Sequence, residues 1–513
     1  MLIEVSEIRP PILEFGKDEG FTDPRIGLLR SGPFSLRFNR AHRSQLRLGI
    51  VAPAEMLRSA GEWYDRCQSK LLTGKIDNPM YVDFPGFENA FQCSLDRSAT
   101  WEIDIGKDLE TALGYEDDHA RFEKTLEVYT NAVARLVADH RPDVITCCLP
   151  PELLKRCRTV TRTEMTGATG RKVRSRLRKV DSSQLSFMDQ WETEDSAEEL
   201  LQRDFRRALK ARVMILQTPV QIATNGLLRD ESAKQDPATR AWNSSVALFY
   251  KAGGIPWRVR STGPETCYIG VSFHYLKTTR RQLMYSSVAQ AFSSEGEGFA
   301  LRGDAVPRNP DDDRNPHLKE SQADKLAQRV IAQYKERTGQ DPARVVLHKT
   351  TKFDDGERQG FLSALRQIPV VEFVNLSPSD FRLVHRGAYP PKRGTLCRVN
   401  DTKTYLFTTG FIEEWNTYPG VHVPVPMEIG SDPGSDVVRV ASEVLALARM
   451  NWNTAFDTTG APITLRFAKQ VGGIMAEVGE SVTPHPSYNA LTGVSDISII
   501  KLSVPITYTR KGE

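Results

Sequence analysis

Four polar side chains between positions 206 and 251 are of types that together could hold a phosphate: Arg206, Lys210, Gln221 and Lys251. Arg206 and Lys210 stand four apart in the basic segment 203–212, so on a helix they project from one face. Gln221, in Thr218-Pro219-Val220-Gln221-Ile222, can both donate and accept. Lys251 falls in the last turn of a helix-like run, 241–251, which Gly253-Gly254 and Pro256 bring to a stop. Lysine point charges, the planar fork of an arginine and one amide suit a single phosphate if the fold brings them together. On spacing alone a solvated basic face with a surface amide is the plainer reading, because charge runs usually serve solubility. The apolar piece between them, Val213-Met214-Ile215-Leu216, reads as β-rich.

The elements around these residues alternate. Leu46 to Val51 reads as a buried strand, and Pro53 opens a helix with Met56, Ala60, Trp63 and Cys67 on one face. Trp101, Ile103 and Ile105 alternate as in a half-buried strand. Phe122, Leu126, Tyr129, Val133 and Leu136 stripe a helix, and 143–149 is a strand ended by Pro150-Pro151. Strand, helix, strand, helix is the order of a doubly wound α/β domain. No GxGxxG or GxxxxGK[ST] follows any of these strands, and Gly167 to Lys172 misses the phosphate-loop spacing. Residues 159–203 form a charged insertion, basic at 171–179 and acidic at 189–199. It is either a self-compensating mobile segment or a basic arm for a nucleic-acid backbone.

A second unit begins near Arg258. The predicted elements are a buried strand at 267–273, a strand pair within 281–291 and a helix carrying Leu326, Val330, Ile331 and Tyr334. Ser321 with Asp324 marks that helix's start as a capping box, and Gly339 its end. Then come a strand at 345–348, a hairpin turn at Asn400-Asp401, a helix striped by Val437, Ala441, Val444 and Ala448, and a last helix over 462–475. Gly472-Gly473 weaken that last helix by about 1 kcal/mol each. Asp311-Asp312-Asp313 reads as a solvated loop.

Bulk composition narrows the class. The 513 residues leave room for two to four domains. Net charge is only +3, so any basic channel must be local. Seven cysteines without a CxxC pair point away from a disulfide framework and a zinc ribbon, toward a reducing, cytoplasmic compartment. Neither a signal peptide nor an apolar run long enough to span a membrane is apparent. No HExxH pair occurs, and Ser272 with His274 lacks the second glycine of a nucleophile elbow.

The phrases "RALK…TPVQIA…WNSSVALFYKAGGIPW" resemble the guide-anchoring pocket in the MID domain of Argonaute proteins. The matching positions are Arg206, Lys210, Gln221 and Lys251, which the resemblance implies would grip the 5′-phosphate of a guide. The first position is often Tyr or His in that family, and a second Lys often stands where this chain has Ala247; the resemblance leaves room for Mg²⁺ at the 5′-phosphate to supply the missing charge. "CYIGVSF", "PARVVLHKT", "YLFTTGF", "VHVPVPMEI" and "LARMNWNTAFDTTGAPITLRFA" are similar to the PIWI domain. The implied architecture is α/β: an extended lead-in over 1–40, a Rossmann-like MID domain over 41–260 and an RNase-H-like PIWI domain over 261–513.

An RNase-H-like nuclease needs clustered carboxylates to hold two metal ions. At the matching positions this chain has Ser272, Thr350 and Lys469, and a lysine there would repel a second metal by several kcal/mol. Asp304 is an isolated acid near the place of the family's glutamate. The expectation is no slicing and no catalytic cofactor. With no room for further domains of long Argonautes, the resemblance is to the short prokaryotic kind. It implies a small guide RNA, a complementary single-stranded DNA target and a partner subunit with an APAZ region. That partner would carry an effector, sirtuin-like, TIR or nuclease, commonly an NADase acting by NAD depletion in anti-plasmid and anti-phage abortive defence. Two other readings stay open: a guided nuclease using acids such as Asp304 and Asp354, and a scaffold whose pocket is vestigial.

Overall fold

In the computed structural model, residues 3–495 are described apart from 18, 38–41, 76, 99–100, 162–201, 261–262, 277–283, 293–297, 308–316, 385–389, 400–402, 421–422, 456–459, 476, 478–486 and 490–493. The first unit is a Rossmann-like doubly wound domain. The strand Gln45–Ala52 lies at its centre. It pairs in parallel with Val144–Cys148 on one side and with Ser94–Asp96 and Glu102–Asp104 on the other, and Val220–Ala223 extends the sheet beyond Val144–Cys148. A parallel sheet is covered on both faces, which is why Leu48-Gly49-Ile50-Val51-Ala52 is almost uninterruptedly apolar. Helix Ala54–Cys67 packs Met56, Ala60 and Trp63 against one face. Helix Asp118–His140 packs Phe122, Leu126, Tyr129 and Val133 against the other.

The second unit is RNase-H-like. Thr266–Leu276 runs antiparallel to Met284–Phe292, which runs antiparallel to Gly298–Pro307. On its other side Thr266–Leu276 runs parallel to Arg344–Lys349, and that strand to Val370–Pro378. Numbered along the chain, the order across the sheet is 3-2-1-4-5. Helices Glu320–Thr338 and Asp355–Ala364 bury Leu326, Val330, Tyr334 and Phe361 on one face. Helix Val437–Leu447 covers outer strands on the opposite face. Helix Ile463–Met475 lies on the central strand so closely that a Cβ on Gly270 would meet Thr464 O at 2.2 Å. Only a glycine lets the helix settle there.

The two units share a core. Trp242, Val246 and Tyr250 of the first join Met450, Trp452 and Phe467 of the second in one buried cluster, and Trp257 Nε1 donates to Arg449 O at 3.0 Å. The first residues are built into this body. Ile3–Glu7 pairs with Thr395–Val399 at one edge of the eleven-stranded sheet, and Leu13–Glu14 pairs with Arg258–Val259. Among the described residues no helix is long and apolar enough to cross a membrane.

Several elements differ from the sequence expectation. Val213 ends a helix and Met214–Leu216 is a 3-10 turn, not a strand: Val213 and Met214 are buried while Ile215 is 43% exposed. A short apolar run cannot by itself tell a strand from the buried end of a helix. The described residues of 281–291 belong to one strand, Met284–Phe292, not a pair; its partners come from either side of it in the sequence. The Glu320–Thr338 helix starts at Glu320, and Gln322 Oε1 accepts from Lys319 N at 3.0 Å, while Asp324 receives Gln328 Nε2 at 2.8 Å and caps nothing. The acidic triplet at 311–313 and most of the charged insertion fall outside the described residues. The insertion's two ends pair with each other, Thr159–Thr161 antiparallel to Gln202–Asp204.

Candidate nucleic-acid interface

Asp204 ends that ribbon and begins the helix Phe205–Val213. Its Oδ1 accepts from Arg206 N at 2.9 Å and Arg207 N at 3.1 Å, the usual work of an aspartate cap. Phe205 packs edge-on to Phe122 and Tyr129, with Ala208, Leu209 and Val213 also inward. With that stripe fixed, Arg206 is exposed and Lys210 half-buried one turn later. The second helix runs over Pro237–Lys251, four residues earlier than the apolar pattern suggested, because Asp236 accepts from Thr239 N at 2.9 Å and Pro237 occupies the first turn. It delivers Lys251 at its end, 8% exposed. Gln221 reaches in from Val220–Ala223, next to Thr146 in the parallel ladder.

Two of the four side chains touch, and the other two act in turn through their charge. Lys251 Nζ donates to Gln221 Oε1. Burial and the charge on Lys210 push the Lys251 ammonium well below the ordinary lysine range. Burial and the charge on Arg206 push Lys210 down too, with Asp204 opposing. Arg206, Lys210, Lys251 and Gln221 thus form a succession in which cation bears on cation. Such a cluster is short of negative charge, and an anion placed among the three would relieve both the burial and the repulsion. Ala247, where the resemblance leads one to look for another lysine, is 3% exposed and belongs to the shared core.

This cradle sits on the seam between the units. Arg203 Nε donates to Glu477 at 2.7 Å, and an added Cβ on Gly473 would lie 3.0 Å from Arg207 Nε. Tyr250 O–H donates to Asn453, and Asn243 Oδ1 accepts from Thr454 Oγ1 at 2.7 Å and Ala455 N at 3.1 Å. The sequence reading missed Arg203 and Arg207 as seam residues. The paired glycines at 472–473 were the available signal, since a glycine inside an apolar helix marks a close approach.

Gly270 and His348 both face the helix Ile463–Met475: the first nearly touches Thr464 O, and the second has Nδ1 2.9 Å from Thr464 Oγ1. Strand alternation carries Ser272, two residues past Gly270, to that same face. Thr350 follows the end of its strand and is exposed; Lys469 lies on the helix itself, its side chain outside the description. Burial holds the His348 ring neutral, down to about 3.

Lys349 points to the opposite face, where both oxygens of Glu357 lie 2.7 Å from its Nζ, beside the rings of Phe273 and Phe353. His317 Nδ1 is 3.0 Å from Glu357, and Asp354, the cap of the next helix, is near. His317, Asp354 and Glu357 have the spacing of metal ligands, but the Lys349 ammonium already lies against two of them, 2.7 Å from Glu357 and 3.2 Å from His317 Nδ1. Asp354 therefore stands with this buried ion pair, away from Ser272. Asp304 lies on Gly298–Pro307, two strands from the centre of the sheet.

No family model matches the sequence, and no curated protein matches it. Solved structures do. Clostridium butyricum Argonaute bound to a guide DNA (5′ deoxycytidine) and a 19-mer target DNA superposes with a TM-score of 0.58 at 15% identity, over 96% of this chain and 55% of that one. Aa-Ago with externally bound siRNA gives 0.56 at 12% identity, over 95% and 56%. A. aeolicus Argonaute gives 0.53 at 12%, over 95% and 55%. The chain has the fold of these proteins and spans about half their length.

Proposed function

We propose that this chain binds a small guide strand by its 5′-phosphate and uses it to find a complementary strand, with no cleavage chemistry of its own. The observation that carries this reading is Lys251: a buried cation whose partners are an amide oxygen and another lysine. A terminal phosphate brings the charge that this cradle lacks. Arg206 at the rim presents a fork to its outer oxygens, Lys210 and Lys251 neutralise it, and the Gln221 amide turns to meet it. The cradle residues do not suit Mg²⁺: three are cations, Gln221 Oε1 already accepts from Lys251, and Asp204 caps its helix. Binding is assigned to the side chains alone.

By the sequence resemblance, Ser272, Thr350 and Lys469 take the positions of an RNase-H-like nuclease's metal-binding acids, which favours a sensor over a nuclease. The guide is assigned as RNA and the target as single-stranded DNA; the fold relative from C. butyricum was solved with DNA in both roles. Base pairing reads the sequence, while the protein reads backbone and shape. The output is assigned to a partner subunit with an APAZ region carrying a NAD-consuming effector, in defence against plasmids and phages. Lys210→Ala and Lys251→Ala together are expected to remove co-purifying small RNA; unchanged guide content overturns the proposal. Guide-loaded chain incubated with complementary DNA and Mg²⁺ or Mn²⁺ is expected to leave the DNA intact.

A further inference from the structure

Three arginines gather beneath the turn that follows Lys403–Leu406. Arg25, 2% exposed, is matched by Asp23 at 2.7 Å, and Trp415 Nε1 donates to the same carboxylate at 2.9 Å. Arg449, 7% exposed, donates to Thr22 O at 3.1 Å. Arg393, 9% exposed, makes no side-chain hydrogen bond among the described residues. The charges facing it are Arg449, Glu414 and Asp23; Asp23 already serves Arg25, and Glu414 is exposed. Burial and Arg449 together bring the Arg393 guanidinium down to about 9.

Arg393 and Arg449 wall a cavity of about 10 Å³, with Thr408 and Gly460 inside and half-buried Tyr418 at the lip. The Thr408 hydroxyl is buried without a hydrogen-bond partner. It faces the bare Cα of Gly460, where an added Cβ would lie 2.6 Å away. An under-matched cation and an orphaned hydroxyl share one small space, and each is costly to bury alone.

We propose that this cavity is an oxyanion site, in which Arg393, Arg449 and the Thr408 hydroxyl hold one oxygen of a phosphate group. The space takes a single oxygen, so the rest of the group stays at the lip beside Tyr418. Free phosphate and the phosphodiester of a bound strand present the same oxygen. The turn that follows Arg449 packs against the helix ending in Lys251, with Asn453 and Thr454 bonded to Tyr250 and Asn243, so a strand anchored at Lys251 would be the source of such a phosphodiester. That second source rests on the guide-binding reading; the first does not.

The test uses the full chain stripped of nucleic acid, with Arg393→Gln and Thr408→Val beside the parent. Inorganic phosphate is expected to raise the parent's melting temperature above a chloride control of equal ionic strength, and not that of Arg393→Gln. A 5′-phosphorylated RNA long enough to cross the seam is expected to lose about tenfold in affinity with Arg393→Gln, and its salt slope to fall by about one. A 5′-phosphorylated dinucleotide is expected to bind parent and variants alike. Loss in the phosphate arm alone assigns the free anion; loss in the RNA arm assigns the strand. No loss in either arm, with both variants folded by circular dichroism, overturns the site. If Arg393→Gln does not fold, Arg393→Lys and Thr408→Val decide by the same readouts. A parent that ignores the dinucleotide sinks the guide reading and leaves the phosphate arm to judge this one.

Discussion

On the proposed reading, Lys251 stores a binding site as a cost. Its ammonium is depressed by burial and by Lys210, so the unfolded chain, with an ordinary lysine near 10.4, binds more protons than the folded one over the interval between the two values. In that interval stability rises with pH. Lys251→Met is therefore expected to stabilise the guide-free chain at pH 7, by about 1–4 kcal/mol, the range seen when buried ions give way to apolar side chains of similar volume. The gain should shrink toward pH 10, and denaturant titration at two pH values checks both statements. His348 has the same sign at lower pH. Its folded value near 3 lies below the ordinary 6.5, so stability is complete above 6.5 and is lost as pH falls toward 3, at about 1.4 kcal/mol per unit. His348→Asn is expected to flatten that acid limb of the stability profile.

At the scale of elements, the strand Thr266–Leu276 and the helix Ile463–Met475 depend on the missing side chain of Gly270. A methyl group there would sit 2.2 Å from a backbone oxygen, which no rotamer change relieves. Gly270→Ala is expected to cost about 3 kcal/mol or more, the upper end for forcing atoms into a packed interior, as read by thermal unfolding. Gly473 offers a contrast, since its neighbour is the flexible end of Arg207. The sequence made most of these elements legible, because periodicity marks a buried face: the stripes at Phe122–Leu136 and at Val437–Val444 lie where their spacing put them. Ends and junctions were not legible. Val213-Met214 is equally apolar in a strand or at a helix end, and Asp236-Pro237 was passed over as loop although an aspartate before a proline is a strong start signal. Arg206, Lys210, Gln221 and Lys251 were named through resemblance; spacing alone carried no information on whether three separate elements would converge. Lys349 with Glu357 escaped because a buried ion pair between a strand and the following helix has no periodic signature.

For the molecule as a whole, the shared core decides cooperativity. Trp257 is 1% exposed, belongs to the cluster that spans both units and donates to Arg449 O. Trp257→Ala is expected to cost about 3–5 kcal/mol. The parent should unfold in one calorimetric transition with matching van't Hoff and calorimetric enthalpies. Two separated transitions would mean the seam is weaker than its packing. A common core also joins the element carrying Lys251 to the unit carrying Ser272; on the proposed reading, a strand fixed at the first would keep a set position relative to the second.

The ribbon at the foot of the charged insertion has a practical meaning. Thr161 and Gln202 are cross-strand neighbours, so the polypeptide departs and returns through the same doorway. A two-residue turn spliced between them should remove the intervening stretch without disturbing Asp204 or the helix it starts. The same doorway would accept a foreign module, a fluorescent reporter for instance, mounted within a few residues of the cradle.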